Sequence, residues 1–155
     1  MPAIYLIIYI VLLTLIDQLS KYLIMNCMYN GEVISIIPHV LQFRYLQNRG
    51  AAFGMMSGKT IFLSVFTLAI IIICSWLLFT ERIEGKLKQS AMVLVLAGGI
   101  GNLIDRIFRH YVVDFMEFTF VDFAVFNFAD CCVTIGAALL IIAILVDMGK
   151  ESKSA

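Results

Sequence analysis

Asp17, Lys21, Asn102, Asp105, Arg106, Asp114, Asn127 and Asp130 interrupt an otherwise apolar sequence, and their types are those of acid–base chemistry. Asp17 and Lys21 are four apart, acid first, so on a helix they share a face and pair. A structural ion pair is the plain reading of them. Asn127 followed three residues later by Asp130 is the pattern of a helix N-cap with an acid in the first turn. Asp114 fits no capping pattern. It stands between Val113 and Phe115 in a V-V-D-F string, where a carboxyl needs a partner; Asp130 is that partner if the chain between them folds back. Two carboxyls in contact cannot both ionise cheaply, so such a pair keeps one proton near neutral pH. One member then activates water and the other protonates a carbonyl oxygen, which suffices to hydrolyse a peptide bond. The pair titrates as a unit.

Other chemistries find less support. There is no H-E-x-x-H run, and His39 and His110 are isolated, so no zinc site is expected. Cys27, Cys74, Cys131 and Cys132 show neither metal-ligand spacing nor a disulfide framework. They read as small apolar residues. Ser57 and Ser64 lack a His and an Asp at recognisable spacing. No metal and no cofactor are expected. A formal net charge of zero, with no block of Lys or Arg, offers nothing to nucleic acid. On the residues alone two functions stand level. One is a dyad hydrolase; the other is a carrier of protons or small solutes, since carboxylates within membranes serve such pathways too.

The setting of these residues follows from composition. Of 155 residues, 62% are hydrophobic and 14% charged, where a soluble domain carries about a quarter charged. A chain this small has too little interior to hide that surface, so lipid must be its solvent. Four apolar runs, about 3–25, 61–80, 91–108 and 130–146, suit a hydrocarbon core of ~30 Å. They do not alternate, and lipid leaves open backbone unpaired, so they are helices. The first run lacks a basic n-region and a small-residue cleavage pattern, and reads as a retained helix.

Tracing the chain back and forth places the ends of the first and third helices beside the starts of the second and fourth. The polar residues then gather toward one face, whichever way the protein is inserted. Asp17, Lys21, Asp105, Arg106 and Asp130 each cost ~2.5–3.5 kcal/mol at mid-bilayer, so together they mark a polar site. Cations divide almost evenly between the two sides. With Lys21 and Arg106 set aside as site residues, the balance leans toward cytoplasmic termini. Between the first two helices, V-L-Q-F-R-Y-L at 40–46 is rich in β-formers. It predicts a small surface β-platform over about 30–58, with turns at Gly50, Gly54 and Gly58. The stretch 110–127 holds six Phe or Tyr and reads as an aromatic loop at the interface. The expected architecture is an all-α membrane protein in a single integral domain, 1–155: four transmembrane helices, a small extracytoplasmic β-platform and an aromatic loop.

Several ordered motifs add a resemblance. N-R-G-A-A-F-G at 48–54, G-G-I-G-N-L-I-D-R at 98–106, V-V-D-F at 112–115 and F-N-F-A-D at 126–130, with D-Q-L-S-K at 17–21, resemble the lipoprotein signal peptidases (signal peptidase II). The likeness covers nearly the whole chain. It implies an aspartic endopeptidase of the bacterial cytoplasmic (inner) membrane, with its active site toward the extracytoplasmic face and both termini in the cytoplasm. It also implies substrates: prolipoproteins carrying diacylglycerol on a cysteine, cut on the amino side of that cysteine. By matching motif, the catalytic pair falls on Asp114 and Asp130. Asn48, Gly54, Asn102, Asp105, Arg106 and Asn127 fall on positions that line or order the site, and Asp17 and Lys21 support it. One position departs: Cys131 stands where the family commonly has Ser. Membrane lipid and lipid-modified prolipoproteins are the implied partners, and a monomer is favoured. A carrier would place its acids near midplane in repeat-related positions; here they lie to one side, and no internal repeat is evident.

Overall fold

The computed structural model describes residues 1–50 and 58–154, with side chains to residue 150; Gly54 lies outside the described residues. Its helices are α1 (Ala3–Cys27), α2 (Thr60–Phe79), α3 (Lys86–Phe108) and α4 (Phe128–Ser154). All four are long and apolar enough to cross a membrane. At 1.5 Å per residue, the 20 residues of α2 match a hydrocarbon core of ~30 Å. The axis of the bundle is α3, against which each of the other three packs. Over half of its most apolar stretch is buried, against 6% for α2. Apart from Leu78, the side chains of α2 are at least partly exposed, and Phe62, Val65, Phe66 and Ile72 are more than half exposed.

Small residues allow this closeness. A Cβ on Gly98 would sit 2.3 Å from the carbonyl oxygen of Ala129, and one on Gly136 2.7 Å from that of Ala91. Helices in lipid associate through such close backbone packing, because hydrocarbon gives them no hydrophobic drive. At the other end of the bundle Leu6, Ile10, Leu78, Met92, Val93 and Leu96 form the apolar core. There the amino-terminal ammonium donates to Gln89 at 2.6 Å, and Lys88 pairs with Asp147. Both ends of the chain thus share one side with the connection between α2 and α3.

On the opposite side lies a three-stranded antiparallel sheet in the order β1 (Val33–Ile37), β2 (Leu41–Asn48), β3 (Val112–Phe118). Tyr45, Val113 and Phe115 seat it on Ile24 and Met28, at the end of α1 and just beyond it. A bulge between Phe43 and Leu46 shifts the register, and beyond it Leu46 faces Asp114 and Asn48 faces Val112. The β-platform expected from the sequence is therefore present, but it takes its third strand from the stretch expected to be loop. V-V-D-F-M-E-F has strand-forming residues, yet only a partner remote in sequence, β2, makes it a strand. The chain then returns, and Phe126 exchanges backbone hydrogen bonds of 2.8 and 2.9 Å with Met116.

The bounds of two helices also differ from the sequence reading. The third helix begins at Lys86 and not near residue 91, because Lys86 and Lys88 lie in its first turn, where long cationic side chains reach water. The fourth runs from Phe128 to Ser154, beyond the apolar run at both ends. Hydropathy marks where lipid begins and stops; backbone hydrogen bonding continues past it.

Candidate active site

The start of α4 is a reciprocal cap. Asp130 N–H donates to Asn127 Oδ1 at 3.0 Å, and Asn127 N–H donates to Asp130 Oδ2 at 3.0 Å. Capping occupies one oxygen of Asp130 and fixes its rotamer. The other, Oδ1, accepts from Asn102 Nδ2 at 2.8 Å. The capping reading of Asp130 is therefore met, and the same geometry leaves its second oxygen on Asn102.

Asp114 is buried, and both its oxygens are engaged: Asn127 Nδ2 donates to Oδ1 at 2.7 Å and Asn48 Nδ2 to Oδ2 at 2.8 Å. Asn48 is there because the β2–β3 register brings it beside Asp114. Asn127 reaches both acids, Asp114 through its side chain and Asp130 through its backbone. Among the described residues no hydrogen bond joins Asp114 to Asp130 directly; amides bridge them, which differs from the direct contact expected from sequence. Burial, then the negative charge of Asp130, push the Asp114 carboxyl up to about 7, although the amides of Asn48 and Asn127 pull the other way.

Beneath the pair lies a buried ionic cluster. Lys21 Nζ meets Asp17 Oδ2 at 2.9 Å, Asp105 Oδ2 at 3.1 Å and Asn102 Oδ1 at 2.9 Å. All three ammonium donors are used. Because the ammonium takes the oxygen of Asn102, its NH2 must turn to Asp130. The two carboxylates then reach onward in parallel ways. Asp17 Oδ1 accepts Ala129 N–H at 2.9 Å, and Asp105 Oδ2 accepts Val113 N–H at 3.1 Å. Each acid thus holds the amide of the residue just before one of the two aspartates. Space for this is made by Gly101, where a Cβ would lie 2.4 Å from Asp17 Oδ2.

Two members of this cluster escaped the sequence reading. Gln18 Nε2 contacts Asp17 Oδ2 at 3.1 Å, the Gly101 carbonyl at 3.1 Å and Asp105 Oδ1 at 3.2 Å. Arg109 donates to Gln18 Oε1 at 3.1 Å and pairs with Asp105. Arg109 stands four residues after Asp105, a spacing that could have revealed it. Arg106, half-buried, has no hydrogen bond among the described residues; its charge acts on Asp130 first, then on Asp114 and Asp105. Every buried side-chain nitrogen or oxygen among the described residues has a partner. All four cysteines are free.

The sequence matches the family described as Signal peptidase (SPase) II over residues 9–146. It is 44% identical over 148 residues to the lipoprotein signal peptidase of Shouchella clausii (strain KSM-K16), covering 94% of this chain and 97% of that protein. Identity to the lipoprotein signal peptidase of Streptococcus pyogenes serotype M5 (strain Manfredo) is 42% over 135 residues, 87% of this chain and 89% of the other. Two solved bacterial membrane enzymes superpose with TM-scores of 0.89 and 0.83, at 36% and 37% identity. They cover 94% and 91% of this chain, and 90% and 92% of their own. The bundle, the sheet and the sequence agree, and the chain belongs to the signal peptidase II family.

Proposed function

We propose that this chain is a membrane aspartic endopeptidase that removes signal peptides from diacylglyceryl-modified prolipoproteins, cutting on the amino side of the lipidated cysteine. Asp114 and Asp130 are its catalytic pair. The observation that carries this reading is their pairing through Asn127, with the buried Asp114 held near a pKa of about 7. In this reading the ionised member takes a proton from water, whose oxygen attacks the scissile carbonyl carbon. The protonated member gives its proton to the carbonyl oxygen. Collapse of the tetrahedral intermediate then breaks the C–N bond. One carboxyl gives its proton to the leaving amine while the other takes the proton of the hydroxyl that becomes the new carbonyl, so the pair again holds one proton. Asn48, Asn102 and Asn127 hold the carboxyls in place, Arg106 offsets their charge, and Asp17, Lys21 and Asp105 fix the segments that carry them.

The location is part of the proposal. The chain lies in the bacterial cytoplasmic membrane as a single domain, with the sheet and the aspartates toward the extracytoplasmic face. A diacylated substrate stays in the bilayer, so its scissile bond lies near the surface, at the depth where the helix ends meet the sheet. The test is to incubate purified protein in detergent with a lipidated and an unlipidated prolipoprotein and to identify products by mass. Cleavage before the lipidated cysteine alone is expected. No cleavage of the lipidated substrate by folded protein, or cleavage at another bond, would overturn the reading.

A further inference from the structure

Asn48 lines a cavity of about 430 Å³, within the ~300–1,000 Å³ usual for ligand sites. Its lining comes from β2 and the residue after it and from the segment 122–125, with Arg44, Arg49, Glu117 and Asp122 among the lining residues. Asn48 also donates to Asp114, so the cavity and the carboxyl pair share one residue. Four charged residues keep this groove out of hydrocarbon. An apolar signal helix and acyl chains do not belong there.

The wall has a second property. Both backbone groups of Phe126 are taken by β3, but among the described residues those of Ala124 and Val125 bond nothing. These two residues are half-buried, and partly covered amides seek partners. A groove lined by unbonded backbone at Ala124 and Val125 is suited to an extended chain, which joins it by main-chain hydrogen bonds. Arg44 and Glu117 are already paired at 3.1 Å, and Gln42 holds the same carboxylate at 2.6 Å. The floor is thus built and polar before any ligand arrives.

We infer that this groove binds the first residues of the mature lipoprotein, those following the lipidated cysteine, as an extended chain along Ala124 and Val125. The inference rests on the peptidase reading and deepens it. The substrate is then gripped on both sides of the cut. Its signal segment and acyl chains are held by lipid-facing helices, and its polar leaving chain by backbone hydrogen bonds in the groove. Recognition through the backbone makes this side tolerant of side chains and sensitive to chain length.

The experiment compares two lipidated substrates with the same signal peptide. One ends as an amide at the lipidated cysteine; the other continues for four residues. For the wild-type enzyme kcat/KM should be roughly tenfold higher for the longer substrate, chiefly through KM, the worth of one or two backbone hydrogen bonds. Val125→Pro, which deletes one N–H, should bring the ratio of long to short toward one. Because that variant alters the fold locally, a second substrate carries the test independently. Replacing one mature-side amide N–H by an ester oxygen should raise KM severalfold in the unmodified enzyme. Equal kcat/KM for both lengths, or indifference to the ester, would overturn the groove and leave the peptidase standing. Cleavage of neither substrate would overturn the peptidase reading and the groove with it.

Discussion

Asp114 receives two amide donors that favour its charged form, yet burial and the neighbouring Asp130 keep its pKa raised from 3.8 to about 7. The sign of the consequence is definite. Between these values the folded chain keeps a proton that the unfolded chain releases, so this group's contribution to stability is full below about pH 4 and lost as pH rises through about 7. On the dyad reading, turnover should fall over the upper part of that window. Asn48→Ala removes a donor that lowers the pKa, so the falling limb of kcat against pH should move to higher pH; movement to lower pH would contradict the assignment. Asp114→Asn and Asp130→Asn should each cost at least a hundredfold in kcat, and the double variant little more, since groups acting as a unit are non-additive. Asp147→Asn, at the far end of the bundle, is the control and should retain its activity. Substantial cleavage by well-folded Asp114→Asn would end the dyad hypothesis. Asp114 stood out in the sequence because no cap explains a carboxyl in V-V-D-F, whereas Asp130 fitted an ordinary cap and was reached only as its partner and through the motif resemblance. Gln18 was not, because a neutral polar residue next to an acid carries no signal until α1 and α3 meet.

At the level of elements, Lys21 ties α1 to α3 and, through its acids, to β3 and the start of α4. The sequence reading saw an isolated ion pair within one helix; Asp105 and Asn102 make it a junction of elements. Lys21→Met strands the charge of Asp17, whereas Asp105 keeps Arg109. Breaking a buried pair costs about 3–5 kcal/mol, and thermal unfolding in detergent should show a loss of that order. Adding Asp17→Asn should restore part of it. A double variant worse by the full sum of the singles would rule the ion-pair account out. The helices themselves could be read from runs of apolar residues, because lipid imposes length and composition on each one separately. Strand β3 could not, because its hydrogen bonds go to β2, and nothing near residue 112 in the chain announces that partner. Helix ends failed for a related reason: the turns at Lys86 and beyond Val146 carry polar and charged residues, so apolar character gives no mark there.

For the molecule as a whole, sidedness is the most direct expectation to check. The chain termini and residues 81–89 share one end, and Arg44 lies at the other on the sheet. With native cysteines replaced, an impermeant thiol reagent added to intact cells should label Arg44→Cys and spare Lys88→Cys. Labelling of the second from outside would invert the proposed orientation.

The ionic cluster has a further consequence, for electrical work. Asp17 and Asp105 balance Lys21 and Arg109, and on the dyad reading a carboxyl pair that retains one proton balances Arg106. An uncompensated charge fully crossing the membrane field gains or loses ~2.3 kcal/mol per 100 mV, but this assembly has no net charge for the field to act on. Hydrolysis moves protons only between neighbouring groups, so the voltage across the bilayer does no work on the chemical step. Turnover in proteoliposomes should accordingly stay the same when a potassium diffusion potential of either sign is imposed. A turnover rate that follows the imposed voltage would mean that charge moves across the membrane during catalysis, which a balanced cluster does not allow.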